Sequence, residues 1–165
     1  MALREKSAPS RKCFASAITK PYDGAMAAGC VFCAIVSGES HSHVVIDDDV
    51  CVAFLDVKPL FHGHVLVVPR AHVVALPDLP LPLIAPFFAR VQELARAMPA
   101  ALGAEGTFVA MNNRVSQSVP HLHVHVVPRT KGDGLKGFFW PRTKYASPAQ
   151  MDEIAAKLRS ALSAR

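Results

Sequence analysis

The chain has 165 residues, of which 51% are hydrophobic and 19% charged, a composition of one globular domain and not of a disordered polymer. Its apolar runs, such as LPLIAPFFA (81–89), are short and broken by proline, far from the roughly 18 residues a membrane span needs. The net charge of +5 is concentrated in residues 1–25, where Arg4, Lys6, Arg11, Lys12 and Lys20 face only Glu5 and Asp23; the other 13 basic and 11 acidic side chains leave +2, so the basic balance is poor evidence for a nucleic-acid surface.

Residues 1–25 are rich in Ser, Ala, Lys and Arg and lack hydrophobic periodicity. They read as a disordered arm ending near residue 27, as upstream sequence before Met26, or as an organellar targeting segment, which Glu5 and Asp23 disfavour. Cys30 and Cys33 form a C-x-x-C, a spacing that suits one metal ion or a redox pair better than a stabilising disulfide. A thioredoxin-like reading requires a strand leading into a helix, and no such pattern precedes Cys30. The absence of a hydrophobic signal peptide argues against a secreted disulfide framework.

HVVID (43–47) and VCVAFLD (50–56) read as strands joined by a turn at Asp47, Asp48 and Asp49. KPLFHG (58–63) is a loop, and HVLVVP (64–69) a strand buried on both faces. Leu83, Phe87, Val91, Leu94 and Met98 recur at helical spacing and predict a helix from about 82 to 98, with Pro86 in its first turn or kinking it. TFVAMN (107–112) and HLHVHVV (121–127) are two further strands. A last helix is marked by Ser147 as N-cap, Pro148 at the first position and Gln150 as the capping-box partner, with an apolar stripe of Met151, Ile154, Leu158 and Leu162. The sum is an α+β domain with an approximately five-stranded, mostly antiparallel sheet and two main helices.

On a strand, His121, His123 and His125 share one face and Leu122, Val124 and Val126 the other. Same-face neighbours lie about 6.6 Å apart along the strand, so two imidazoles can meet one ion more easily than three. The row is either a metal site, a polar face of an exposed strand, or a nucleophile flanked by two imidazole partners, an arrangement that suits nucleotidyl or phosphoryl transfer.

QSVPHLHVHVVPR (117–129), together with CVFCAIVSGESHSHVVIDDDVCVAFLDVKPLFHGHVLVVPRAHV (30–74), resembles the histidine triad, or HIT, family over residues 28–145, with the helix of 146–165 expected to pack on or beside that domain. The resemblance implies a HIT-like fold and hydrolysis of a nucleoside 5′-phosphate conjugate. Its substrate would be a phosphoramidate or a dinucleoside polyphosphate, and its intermediate a covalent nucleotidyl-histidine; transfer to phosphate or a sugar phosphate is a further option. A nucleotide-binding or zinc protein without catalysis is the alternative. The resemblance makes His123 the nucleophile, His125 a phosphate contact, His121 an orienting residue, His64 the fourth site histidine, and Gln117 and Ser118 the pair that binds phosphate and assists the leaving group. It also places Asp56 on the ribose hydroxyls, Asn112 or Asn113 on phosphate, and Phe32, Ile35, Phe54, Leu55 and Val57 around a purine, with plain core packing the alternative for these five. Cys30, Cys33, His72 and His121 match a structural zinc site, while His41, His43 and His62 are expected at the surface. A cytoplasmic homodimer binding a purine nucleotide, and neither membrane nor nucleic acid, completes the expectation. Ser116 stands where the family has Gly. The tract RTKGDGLKGFFWPRTK (129–144), with five cations and one anion, is either a solvated loop or a further contact for a phosphate-bearing leaving group.

Overall fold

The computed structural model describes residues 26–135 and 144–163. Residues 26–131 and the chain from Gly132 onward form two separate compact units, and the sheet and all the site residues lie in the first. The arm of residues 1–25 and residues 136–143 of the basic tract 129–144 fall outside the described residues.

The first unit runs α1 (Val31–Val36), β1 (Val44–Asp47), β2 (Cys51–Leu55), β3 (Val65–Pro69), α2 (Leu81–Leu102), β4 (Gly106–Ala110) and β5 (Val124–Arg129). The five strands form one sheet in the order β1-β2-β3-β5-β4, and every neighbouring pair is antiparallel. The expected α+β architecture is therefore present. The β1–β2 turn follows its aspartates: Asp48 Oδ1 accepts the N–H groups of Val50 and Cys51 at 2.9 and 3.0 Å, the local bonding that makes aspartate a turn residue.

Strand alternation sorts the side chains into two layers. Cys51, Ala53, Val65, Val67, Leu122, Val124 and Val126 pack with Phe87, Val91, Leu94 and Met98 of α2. Val52, Phe54, Leu66 and Val68 point the other way and pack with Phe32 of α1. The central strand β3 is buried on both faces, as its unbroken apolar run predicts. The helix α2 is longer than its periodicity suggests and contains Pro86 and Pro99; it ends at Gly103, whose φ of 68° is the left-handed cap that glycine adopts without strain.

Three expectations need correction. A short helix, α1, follows Cys30, whose sulfur accepts the Cys33 N–H at 3.5 Å as its N-cap; six apolar residues show no helical stripe, so periodicity is blind to it. The triad segment enters the sheet only at Val124. His121 N–H donates to the Val119 carbonyl at 2.8 Å and Leu122 N–H to Val73 at 2.7 Å, so its first residues are held by loops and not by the ladder. In the second unit, α3 (Pro148–Ser163) starts where expected, with Ser147 Oγ accepting the Gln150 N–H at 3.2 Å. Gln150 Oε1, however, accepts from Ala146 at 2.7 Å rather than from Ser147, and the stripe Met151, Ile154, Leu158 and Leu162 is exposed.

Candidate functional site

The α1-side layer carries the histidines. His123 and His125 have the opposite parity to Leu122 and Val124, and the Phe32 ring meets His123 edge-on at 5.3 Å and Phe54 at 5.5 Å. His125 lies between Leu66 of β3 and Ala110 of β4 in the sheet register. His64 arrives from the turn before β3. Gly63 in that turn has φ of 93°, so glycine is favoured there by conformation.

The hydrogen-bond partners assign each ring its tautomer. His123 Nδ1 lies 2.7 Å from the His121 carbonyl oxygen. A carbonyl only accepts, so Nδ1 carries the proton and Nε2 keeps its lone pair. The Leu60 N–H donates to His64 Nδ1 at 3.2 Å, which places the His64 proton on Nε2. That proton is donated to His125 Nδ1 at 2.9 Å, leaving the His125 proton on Nε2. One chain of contacts thus leaves a bare ring nitrogen on His123 beside an N–H donor on His125, with ring centroids 5.1 Å apart.

Burial disfavours the charged form of His125 and His64. Desolvation, followed by the neighbouring His123 and His64, pushes His125 down to about 4. His64 is also lowered by desolvation, although Asp56, whose Oδ2 lies 3.4 Å from His64 Nδ1, pulls the other way. Burial outweighs the Asp56 charge, and the Leu60 N–H occupies the nitrogen that a second proton would need.

His121 turns away from this pair. Its Nε2–H donates to the Pro69 carbonyl at 3.0 Å, so its Nδ1 lone pair faces Cys30 Sγ at 3.5 Å and Cys33 Sγ at 3.6 Å. His72 Nδ1 lies 3.2 Å from Cys33 Sγ. All four donor atoms lie within 4.8 Å of one another. In tetrahedral zinc with bonds of about 2.3 Å to sulfur and 2.0–2.1 Å to nitrogen, a sulfur–nitrogen edge is about 3.5 Å, and the observed separations fit. The donor chemistry also fits: desolvation raises the Cys33 thiol, and a cation among the ligands reverses that cost by binding the thiolate. Burial and repulsion from His72 and His123 lower His121, to about 4, with only the Pro69 carbonyl opposing, so its Nδ1 is available as a ligand.

The remaining predicted residues divide. Phe32 and Phe54 are buried, Ile35 packs against their cluster, and Leu55 is 38% and Val57 90% exposed, so core packing does not account for the last two. Asp56 Oδ1 accepts the Lys58 N–H at 2.8 Å. Ser118 is exposed and lines a cleft of about 440 Å³ with Cys30, His72 and Val119. Gln117 is a local clamp: its Oε1 accepts from Arg114 N at 2.7 Å, and its Nε2 donates to the Val74 carbonyl at 2.6 Å and, more weakly, to the His121 carbonyl at 3.4 Å. Asn112 donates to the Ser116 carbonyl at 3.1 Å, and Asn113 Oδ1 accepts from Leu76 N at 2.8 Å. His41, His43 and His62 are at the surface, as expected. The contributors that residue types could not reveal are backbone groups, namely the carbonyls of Pro69, Val74 and His121 and the N–H of Leu60.

The loop before the triad is strained. Arg114 and Ser116 have φ of 69° and 57°, a left-handed conformation that disfavours side chains. The departure noted at Ser116 therefore has a conformational meaning: the backbone there has the shape glycine prefers.

Comparison with known proteins agrees with the fold. Residues 37–132 match the family model of the HIT domain. Over 108 residues the chain is 41% identical to an uncharacterized HIT-like protein of Mycobacterium tuberculosis, covering 64% of this chain and 75% of that one. It is 35% identical to the adenylylsulfatase HINT3 of Arabidopsis thaliana, over 64% of this chain and 55% of that protein. It is 30% identical to the adenosine 5′-monophosphoramidase hnt1 of Schizosaccharomyces pombe, over 79% and 98%. Among solved structures, a HIT family protein from Bacillus subtilis superposes with a TM-score of 0.72 at 29% identity, over 80% and 96% of the two chains. A zinc-bound histidine triad protein from Mycobacterium smegmatis does so with 0.63 at 38% identity, over 81% and 97%. Among the described residues no helix is long and apolar enough to cross a membrane.

Proposed function

The chain belongs to the HIT domain family, and from that premise we propose that it hydrolyses a nucleoside 5′-phosphate conjugate through a nucleotide covalently held on His123. The observation that carries the reading is the His123 Nδ1–H bond to the His121 carbonyl at 2.7 Å, which leaves Nε2 neutral and nucleophilic.

In the first step the Nε2 lone pair attacks the α-phosphorus, forming an N–P bond as the bond to the leaving group breaks. His125 Nε2–H donates to a non-bridging phosphoryl oxygen, where charge accumulates. The Ser118 hydroxyl assists the departing group. In the second step water attacks phosphorus, the N–P bond breaks and the nucleoside monophosphate leaves, so the electron pair returns to Nε2. Phe32 and Phe54 form the floor of the purine pocket, and the exposed side chains of Leu55 and Val57 are a wall that a base would cover. Asp56, already held by the Lys58 N–H, takes the ribose hydroxyls. Gln117 acts by clamping the His121 carbonyl as well as by lying next to the phosphate.

Cys30, Cys33, His72 and His121 would hold a structural zinc, which would supply a cross-link between α1, the β3 exit and the triad. This assignment leaves His123 and His125 for chemistry, so the metal and nucleophile readings apply to different histidines of one segment. The expected assembly is a cytoplasmic homodimer. The relatives named for adenylyl and adenosine monophosphoramidate substrates support an adenosine 5′-phosphate conjugate.

A substrate panel tests this directly. An adenosine 5′-phosphoramidate, a diadenosine polyphosphate and an ADP-sugar are compared in wild type and His123→Ala. Release of adenosine monophosphate from at least one, lost in the variant by 10³-fold or more as for removal of a nucleophile on the order of magnitude known elsewhere, supports the proposal. Equal turnover by the variant overturns it.

A further inference from the structure

We propose that Cys30 and Cys33 are an oxidisable pair that switches the nucleophile off. The activity part of this inference rests on the hydrolase reading above; the chemical part does not.

The coupling is a sequence of contacts on one short segment. Cys30 and Cys33 face the Nδ1 of His121 at 3.5 and 3.6 Å. The carbonyl of that same residue holds the His123 proton at 2.7 Å. His121 is wholly buried, and besides the sulfurs its Nδ1 has the His72 ring near it, with ring centroids 4.9 Å apart. The segment is outside the sheet ladder until Val124, so the His121 backbone is anchored by loop contacts and by its own ring. Whatever holds that ring therefore helps aim the nucleophile.

The pair is also built to react. Cys30 caps α1 and Cys33 is the third residue of the same turn, with the Cys33 N–H directed at Cys30 Sγ. Residues three apart on one helical turn have Cα atoms about 5–6 Å apart, inside the range a disulfide spans. Cys30 is partly exposed and lies on the wall of two clefts of about 470 and 440 Å³ that share Ala27, Ala28, Gly29 and Val31, so a small oxidant can reach it. Cys33 is 3% exposed and acts as the resolving partner. Cys51, at 0% exposure on the opposite face of the sheet, is out of reach.

The oxidant is a hydroperoxide. The Cys30 thiolate attacks the terminal peroxide oxygen, breaking the O–O bond and giving a sulfenic acid and an alcohol, or water when the oxidant is hydrogen peroxide, after protonation. The Cys33 thiolate then attacks the sulfenic sulfur, forming S–S and expelling hydroxide, which takes up a proton as water. Each sulfur has lost one electron and the peroxide has gained two. Two thiolate ligands disappear, bound zinc leaves, and the buried His121 Nδ1 is left without a partner. The 119–123 segment then relaxes and the His123 Nδ1–H bond with it. Reduction by a dithiol, followed by metal rebinding, reverses the change.

The test uses the full chain carrying Cys13→Ser, loaded with zinc and treated with hydrogen peroxide. Four readouts are followed: zinc released to a chromogenic chelator, loss of two hydrogens by mass, the low-field proton resonance of His123 Nδ1–H, and turnover. The expected result is that all four change at one rate, that turnover falls at least about tenfold, as for loss of an outer-shell support, and that dithiothreitol plus zinc restores it. Complete disulfide formation and zinc release with the His123 resonance and turnover unchanged would overturn the switch, as would inactivation with the thiols and zinc intact. If the reduced, loaded protein cleaves no conjugate, the hydrolase reading fails, and the first three readouts still decide the coupling.

Discussion

Acid should destabilise this protein through His125 in a way that can be isolated by one substitution. The ring is depressed from about 6.5 to about 4 by burial beside His123 and His64. The unfolded chain therefore binds a proton between these values that the native state does not, and stability rises with pH across that window. It is complete above about pH 6.5 and is lost as pH falls through 4. With 1.36 kcal/mol per pH unit, the loss relative to pH 8 is about 2 kcal/mol at pH 5 and about 3 kcal/mol at pH 4, an upper value because the ring is partly solvated. The assay is urea unfolding followed by circular dichroism from pH 4 to 8, comparing wild type with His125→Gln, which keeps polarity but cannot titrate. His121, His64 and the cysteines remain in both proteins, so the difference in pH dependence largely isolates the His125 contribution. The two curves should converge by about 2 kcal/mol between pH 8 and pH 5. Parallel curves would refute a neutral, desolvated His125, and with it the proton assignment on which its donor role depends.

Ser116→Gly should raise stability by up to about 1 kcal/mol, because it relieves a left-handed side chain at φ 57° at the expense of unfolded-state entropy; a loss of stability by urea titration would show that the Ser116 side chain has a compensating role. Phe87→Ala, at 0% exposure under the sheet, should cost about 3–5 kcal/mol, measurable by the same titration, and a cost below 1 kcal/mol would contradict the packing of α2 described above. Zinc at a hundred times its dissociation constant should add about 2.7 kcal/mol, seen as an upward shift of several degrees in the thermal midpoint, and His72→Ala should weaken binding at least about tenfold by competition with a chelator.

Much of the site was legible because its chemistry is periodic. Alternation alone puts His123 and His125 opposite Leu122 and Val124, and the structure places them so. The C-x-x-C marks a cluster, and Gly63 marks the turn that delivers His64. Asp48 specifies its turn by its own carboxylate. What stayed hidden depends on backbone atoms or on length. The carbonyl of Pro69 and the N–H of Leu60 decide tautomers, yet backbone groups have no letter in a sequence. The helix α1 is too short to show a period, and the late entry of β5 follows from Leu122 bonding to Val73 rather than to a neighbouring strand. The positive φ of Arg114 and Ser116 lies in a loop where Gln117 Oε1 accepts the Arg114 N–H, and no local propensity announces it. The stripe of α3 is a regular apolar pattern that is read correctly as a helix.

The proposed hydrolysis depends most on His123 as the covalent nucleophile. Rapid alkaline quench of the reaction with an adenosine 5′-phosphoramidate labelled at the phosphorus, followed by peptide mapping without exposure to acid, measures this directly. The expected result is an alkali-stable, acid-labile adenylyl group on His123 alone, absent from His123→Ala. Label on His125, His121 or a hydroxyl side chain, or full turnover with no labelled peptide in wild type, would contradict it.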